Sequence, residues 1–187
     1  EHLMEYIFSP GNLNNAYLQV KRNAGASGVD KMDVEELLPY LRQHKEELVK
    51  SLMQGTYRPN PVRRVEIPKD NGKKRQLGIP SVVDRVIQQA ISQVLTLTYD
   101  RTFSNSSFGF RPKRSCHNAL RKVQSYVNDG HKYAIDLDLE KFFDRVNHNV
   151  LMARVGRKIG DKRVLGLIRR FLQAGLMKGG LCSQRAE

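Results

Sequence analysis

Asp136, Asp138 and Asp144 are the residues of this chain whose type and spacing could do chemistry. They lie in Tyr133-Ala134-Ile135-Asp136-Leu137-Asp138-Leu139-Glu140-Lys141-Phe142-Phe143-Asp144. Ile135, Leu137 and Leu139 alternate there with Asp136 and Asp138, and a period of two predicts a strand over 132–139 with both carboxylates on one face. Two like charges so placed repel unless something intervenes. An acidic group at the end of a core strand is costly to bury alone, so a divalent cation is its natural partner. The chain carries 32 Lys plus Arg against 19 Asp plus Glu, a formal net charge of +13. A polyanion is therefore favoured through counterion release. Together these point to magnesium-dependent chemistry on nucleotide phosphates. Their bland counterparts are an Asp satisfied within a fold, and Asp144 capping the helix after it.

The elements that must position these residues read as a mixture of helices and strands. Leu13, Ala16, Tyr17 and Val20 predict a helix over 12–22, followed by the basic, glycine-punctuated loop Lys21 to Asp30. Residues 33–54 read as helix, with Pro39 starting a second piece or kinking the first. Strands at 62–68 and 73–79 join at Asp70-Asn71-Gly72, a hairpin turn signal. The clearest amphipathic helix is 82–99, with Ser81 as N-cap and Asp84 near its third position. Further helices are expected at 115–128, 148–158 and 161–174. No βαβ alternation is long enough for a doubly wound sheet, so the fold class is α+β, helices packed on short antiparallel strands.

Two further stretches carry chemical alternatives. Arg63, Arg64, Lys69, Lys73, Lys74 and Arg75 crowd one ribbon, which can clamp a triphosphate or a template backbone, or be a solvated edge guarded by cations. In Phe108-Gly109-Phe110-Arg111-Pro112-Lys113-Arg114, aromatics can stack on bases while cations hold phosphates, or the two rings can plug the core. Other chemistries find no support. Cys116 and Cys182 lack CxxC spacing, the five His show no ligand spacing, and no P-loop or Rossmann glycine motif is present. The two Cys suggest neither a disulfide framework nor a zinc site, which fits a reducing cytosol; no apolar run approaches a membrane span, and no signal peptide is visible. The opening residue, Glu1, reads as the start of an excised piece.

Taken in order, the chain resembles the amino-terminal part of a group II intron-encoded reverse transcriptase, or maturase, from about Leu13 to Gly180. The resemblance rests on Arg63-Arg64-Val65-Glu66-Ile67-Pro68-Lys69, Arg75-Gln76-Leu77-Gly78-Ile79-Pro80, Asp84-Arg85-Val86-Ile87-Gln88-Gln89-Ala90, Phe108-Gly109-Phe110-Arg111-Pro112 and Asp138-Leu139-Glu140-Lys141-Phe142-Phe143-Asp144. It implies an amino-terminal extension at 1–32, fingers at 33–129 and part of a palm at 130–187. That is the fingers and first half of the palm of a right-hand polymerase. It makes Asp138 the first catalytic aspartate, binding Mg2+ with the Leu139 carbonyl beside it. Phe143 would select deoxynucleotides, and Lys69 and Arg75 would hold the incoming triphosphate. Gln88, Gln89 and Arg111 would line the nucleotide and template region. Asp136 is outside the catalytic position and reads as structural.

The same resemblance implies binding of intron RNA to assist splicing. Lys21, Arg22, Arg63, Arg64, Lys73, Lys74, Lys113 and Arg114 are the candidates. The expected partners are group II intron RNA, an RNA template with its DNA primer, and dNTP. No membrane is expected, and the setting is the bacterial cytoplasm or an organelle. Leu165, Ile168, Phe171 and Leu172 suggest a homodimer through exposed apolar surface. Family members carry a Gly-Thr-Pro-Gln-Gly-Gly-like segment and then Tyr-Ala-Asp-Asp. This sequence ends at Glu187 short of both, so the fragment alone is expected not to polymerise. The alternatives are a non-catalytic RNA-binding splicing cofactor, a catalytically dead scaffold and a retron-type reverse transcriptase.

Overall fold

The computed structural model describes residues 2–68, 72, 74–178 and 181–183. The chain divides into two compact units. The first comprises residues 1–93 and 147–187, the second 94–146. This cut differs from the boundaries at 32 and 129, because the later chain returns to pair with the hairpin.

The first unit begins with α1 (Leu3–Ile7), α2 (Pro10–Asn23) and α3 (Leu37–Met53). A reciprocal turn precedes α3. The Asp33 N–H donates to Glu36 Oε2 (3.0 Å) and the Glu36 N–H donates to Asp33 Oδ1 (3.0 Å). Pro39 is thus the third residue of α3. Its missing N–H falls among the donors that a first turn leaves without helical partners, and α3 continues unbroken from it to Met53.

The expected hairpin forms from β1 (Val62–Pro68) and β2 (Lys74–Ile79), which pair with Arg64 opposite Gly78 and Ile67 opposite Arg75. Of its turn, Gly72 is described, at φ +74°, a conformation natural to glycine. Lys69, Asp70, Asn71 and Lys73 lie outside the described residues. Two strands that sequence patterning did not foretell complete a four-stranded sheet in the order β2-β1-β3-β4, with β3 (Leu176–Lys178) and β4 (Leu181–Ser183). The β1–β3 pair is parallel, so the sheet is mixed rather than antiparallel. The Val62 N–H donates to the Gly175 carbonyl at 2.7 Å where this pairing begins.

Helix α4 (Val82–Tyr99) supplies the centre of the core. Val82, Val86, Ile87 and Ala90 on it are almost fully buried. Each large apolar side chain so placed stabilises the fold by roughly 1.5–3 kcal/mol. Its entry is a buried polar knot. Ser81 Oγ donates to Asp84 Oδ2 (2.8 Å) and accepts the Asp84 N–H (3.2 Å), so Ser81 is the N-cap that the sequence signalled. Tyr57 Oη and the Asn60 N–H also donate to the Asp84 carboxylate, at 2.8 and 3.0 Å. Burial pushes the Asp84 carboxyl above its ordinary value against the pull of these donors. Burial and then the neighbouring Asp84 push the Tyr57 phenol up as well.

Helix α8 (Lys162–Leu172) follows α7 (His148–Gly156) and is clasped to α1. Asp161 caps α8, accepting the Arg163 N–H (3.0 Å) on one oxygen and the Met4 N–H (3.1 Å) on the other. Arg163 forks onto Glu5 at 2.8 and 2.9 Å and also reaches Asp161. Burial alone would raise the Asp161 carboxyl. Donation from the Arg163 side chain, the Met4 N–H and the Arg163 N–H outweighs it, and the net shift is downward. Arg163 holds Glu5 low too. Depressed carboxyls contribute stability above their unfolded values, and it is lost as pH falls through the folded ones. Acidification through and below the ordinary carboxylate range should therefore release α1 first, seen as faster hydrogen exchange at the Met4 amide. Arg163→Met should move that release to higher pH. An unchanged acid profile in the variant would show that the clasp has no such role.

Candidate active site and nucleic-acid interface

In the second unit, α5 (Cys116–Asn128) leads to the aspartate segment and the short helix α6 (Phe142–Arg145). The expected strand 132–139 does not form: residues 131–139 adopt no regular secondary structure and pair with none of the described strands. Tyr133, Ile135, Leu137 and Leu139 are 95%, 86%, 89% and 71% exposed. The alternation is real, but a strand also needs a neighbour for its backbone donors and acceptors.

Asp138 is exposed, and its carboxylate has no hydrogen bond or ion pair among the described residues. Asp136 is likewise exposed and unpaired, so it is not a satisfied structural group. Lys141 (φ +53°) turns the chain into α6, whose Phe142 and Phe143 rings meet edge to face at 5.6 Å. Phe143 is almost fully exposed.

The Phe-Gly-Phe-Arg-Pro loop gives Arg111 a different occupation from the expected nucleotide contact. Its Nε donates to Asp100 Oδ1 (2.8 Å), and its terminal nitrogens donate to the carbonyls of Asp100 (2.9 Å), Ser104 (2.7 Å) and Ser107 (3.1 Å). The side chain is buried, and the Asp100 hydrogen bond raises its already high pKa. Arg111 is thus the organiser of residues 100–111, with four of its five N–H donors already engaged there. Arg114 is partly spent, donating to the Asn105 carbonyl (3.0 Å) and lying over Phe108. Lys113 is exposed and unpaired, and Phe110 is fully exposed rather than plugging the core.

In the first unit, pleating sorts the hairpin cations. Arg63 and Arg75 share a face with Val65 and Ile67, whereas Arg64 and Lys74 share the other with Glu66. Lys74 is committed to Glu66 (3.2 Å), which also takes Lys178 at 2.7 Å. Lys178 and then Lys74 hold the Glu66 carboxyl below its usual range. Lys74 is thus partly neutralised as an RNA contact. Arg75 and Arg64 have no such partner among the described residues.

Lys21 and Arg22 are not in a loop. They form the last turn of α2, where cations suit the helix dipole, and Arg22 hydrogen-bonds Gln19. Residues 24–28 beyond them are fastened from two elements. Arg85 on α4 donates to the carbonyls of Ala24 (2.9 Å) and Ala26 (3.1 Å), and Arg63 Nε on β1 donates to the Ser27 carbonyl (2.9 Å). Gly28 packs so close that a Cβ would sit 2.6 Å from the Ser81 backbone. Gln88 and Gln89 line a polar cleft of about 260 Å³ with Asn23, Ala24, Arg85 and Ser92. A second cleft, of about 330 Å³, brings Arg63 and Arg64 beside Lys31, with no carboxylate in its lining. Lys31 was not foretold, because its αL backbone (φ +62°), which turns the chain there, has no local sequence signature.

The sequence and the fold of the chain are similar to those of known proteins. The profile described as "Reverse transcriptase (RNA-dependent DNA polymerase)" matches residues 67–187. The chain belongs to that family. Within it, the chain is of the group II intron-encoded, maturase kind. Group II intron-encoded protein LtrA of Lactococcus lactis subsp. cremoris is 36% identical over 177 residues, covering 94% of this chain and 29% of LtrA. Protein YkfC of Escherichia coli (strain K12) is 37% identical over 193 residues, covering 100% of this chain and 51% of YkfC. The chain thus spans about half the length of one of these relatives and under a third of the other. Among solved structures, a chain of a partial Cas6-RT-Cas1--Cas2 complex superposes with a TM-score of 0.62 at 20% identity, over 96% of this chain and 29% of that one. That likeness carries the fold alone.

Reverse transcriptases generally use divalent metal ions. No group of three or more His, Cys, Asp or Glu side chains is placed to hold one among the described residues. Asp138 nevertheless fits such an ion in kind. It is an unpaired, solvent-facing oxygen donor followed by a backbone carbonyl, and magnesium characteristically takes one or two carboxylates and completes its shell with water and phosphate oxygens. No helix of the described residues is long and apolar enough to cross a membrane.

Proposed function

We propose that this chain is the fingers and first part of the palm of an RNA-directed DNA polymerase, one that also binds its intron RNA and assists splicing. The observation that carries the catalytic part is the free Asp138 carboxylate, in a chain of this family. Asp138 and the Leu139 carbonyl would hold Mg2+, which supplies charge neutralisation at the transferred phosphoryl group. Phe143 would crowd the 2′ position of the incoming sugar. Arg75, with Lys69, would hold the dNTP triphosphate, and Gln88 and Gln89 would present amides to the template and nucleotide region.

The RNA-binding part rests on the +13 charge and on cations left without carboxylate partners, among them Lys21, Arg64 and Lys113. Its partners would be group II intron RNA and a template–primer, in a bacterial cytoplasm or an organelle. The homodimer would use different surface from that expected. Leu165, Ile168, Phe171 and Leu172 are half-buried, whereas Leu120, Val123, Val127 and the 133–143 segment are exposed.

Affinity for structured RNA should fall linearly, on logarithmic axes, with salt concentration. Lys21→Ala together with Arg22→Ala should weaken binding and reduce that slope by about 1 to 2, with the fold retained and the thermal midpoint lowered by only a few °C through the lost helix-dipole pairing. A flat salt response would count against RNA binding as a whole, and an unchanged slope in the double variant would remove the end of α2 from the interface.

A further inference from the structure

Helices α2, α3 and the start of α4 enclose an apolar cleft of about 210 Å³. Leu13 and Tyr17 of α2, Leu41 and Leu48 of α3, and Val86 and Ile87 of α4 form its walls. The α4 residues are buried, but Leu13, Tyr17, Leu41 and Leu48 remain only half-covered. Asn14, Arg42 and Lys45 stand at its lip. All three are exposed, and among the described residues none of their side chains has a hydrogen-bond or ion-pair partner. The Tyr17 hydroxyl is equally unpaired. No carboxylate lines the cleft.

A hydrocarbon ligand would need no cations, and an isolated phosphate would need no apolar walls. A group with a flat apolar face, a polar edge and attached anions uses all of these features. We propose that the α2–α3 cleft takes one unpaired nucleobase of RNA. Tyr17 offers the stacking surface, and the Asn14 amide offers a donor and an acceptor to the base edge. Arg42 and Lys45, three residues apart on one face of α3, meet the flanking phosphates. An acidic peptide with an apolar anchor is the competing occupant. The net charge of +13 and the nucleic-acid chemistry of the family favour RNA. This inference rests on the RNA-binding reading above and assigns it a site.

The test titrates the whole chain with single-stranded oligoadenylate, an abasic ribose-phosphate strand of equal length, and a Leu/Glu-rich peptide. Oligoadenylate should bind about tenfold tighter than the abasic strand, the scale of one stacked base. Tyr17→Leu, which keeps apolar filling, should erase most of that ratio, as should Asn14→Ala at an exposed position where folding is not at stake. Arg42→Ala with Lys45→Ala should weaken both strands alike. Equal binding of the two strands, or a ratio that survives both Tyr17→Leu and Asn14→Ala, overturns the base pocket while RNA binding stands. Failure of both strands to bind overturns the RNA reading itself. Preference for the peptide, lost on Tyr17→Leu, assigns the cleft to a protein partner and overturns the proposal.

Discussion

Asp138→Asn in a longer polypeptide that carries this sequence together with an Asp-Asp segment should lower primer extension about a thousandfold or more. The substitution keeps the shape of the side chain and removes its charge. A metal held there contributes several kcal/mol to transition-state charge stabilisation, and each 1.4 kcal/mol is a tenfold change in rate. Asp138 is exposed and bonds to nothing in its own unit, so neither folding nor RNA affinity should change by more than about twofold. Asp136→Asn is the matched control, with the same exposure and chemistry two residues away. Robust synthesis by the Asp138→Asn polypeptide, or equal loss in both Asn variants, would end the catalytic assignment.

The second large effect concerns folding. Asp84→Ala would leave the Tyr57 hydroxyl, the Asn60 N–H and the Ser81 hydroxyl without their acceptor in the interior. Removing one partner from such a buried network costs about 2–4 kcal/mol, or roughly 5–15 °C in thermal midpoint for a chain of this size. The pH dependence carries a second signature. Because burial raises the Asp84 carboxyl, its contribution is fullest at pH below the ordinary carboxylate range and shrinks as the group ionises. Glu5 and Asp161 run the other way. Asp84→Asn, which cannot ionise, should flatten the first trend alone. A thermal midpoint within 1–2 °C of the parent for Asp84→Ala would mean that water satisfies the three donors.

What could be read from the sequence was whatever the chain specifies locally. Ser81 and Asp84 sit three apart and bond each other because both lie within one helical turn. Gly72 marks the hairpin, and the two strands predicted on either side of it pair antiparallel. Pairing with distant chain was not legible. Alternation at 133–139 says which side chains would share a face but not which strand would lie alongside, and no neighbour is present among the described strands. The parallel join of β1 to β3 was hidden because Leu176–Lys178 is too short to show a period. At the site, sequence located cations without their partners. Lys74 beside Glu66, and Arg111 wrapped in its own loop, resembled free phosphate ligands until the carboxylates and carbonyls that occupy them were in view.

The stapled segment 24–28 has a consequence for how anything lands on it. Two guanidinium groups, from a strand and from a helix, grip its carbonyls, and a glycine seats it against the chain at Ser81. A visitor to this corner meets a finished shape, so the ordering entropy was settled when the protein folded. Association there should proceed in one step with little change in heat capacity beyond the surface covered. Cutting either staple would convert that docking into folding-upon-arrival, slower to form and steeper in its temperature dependence.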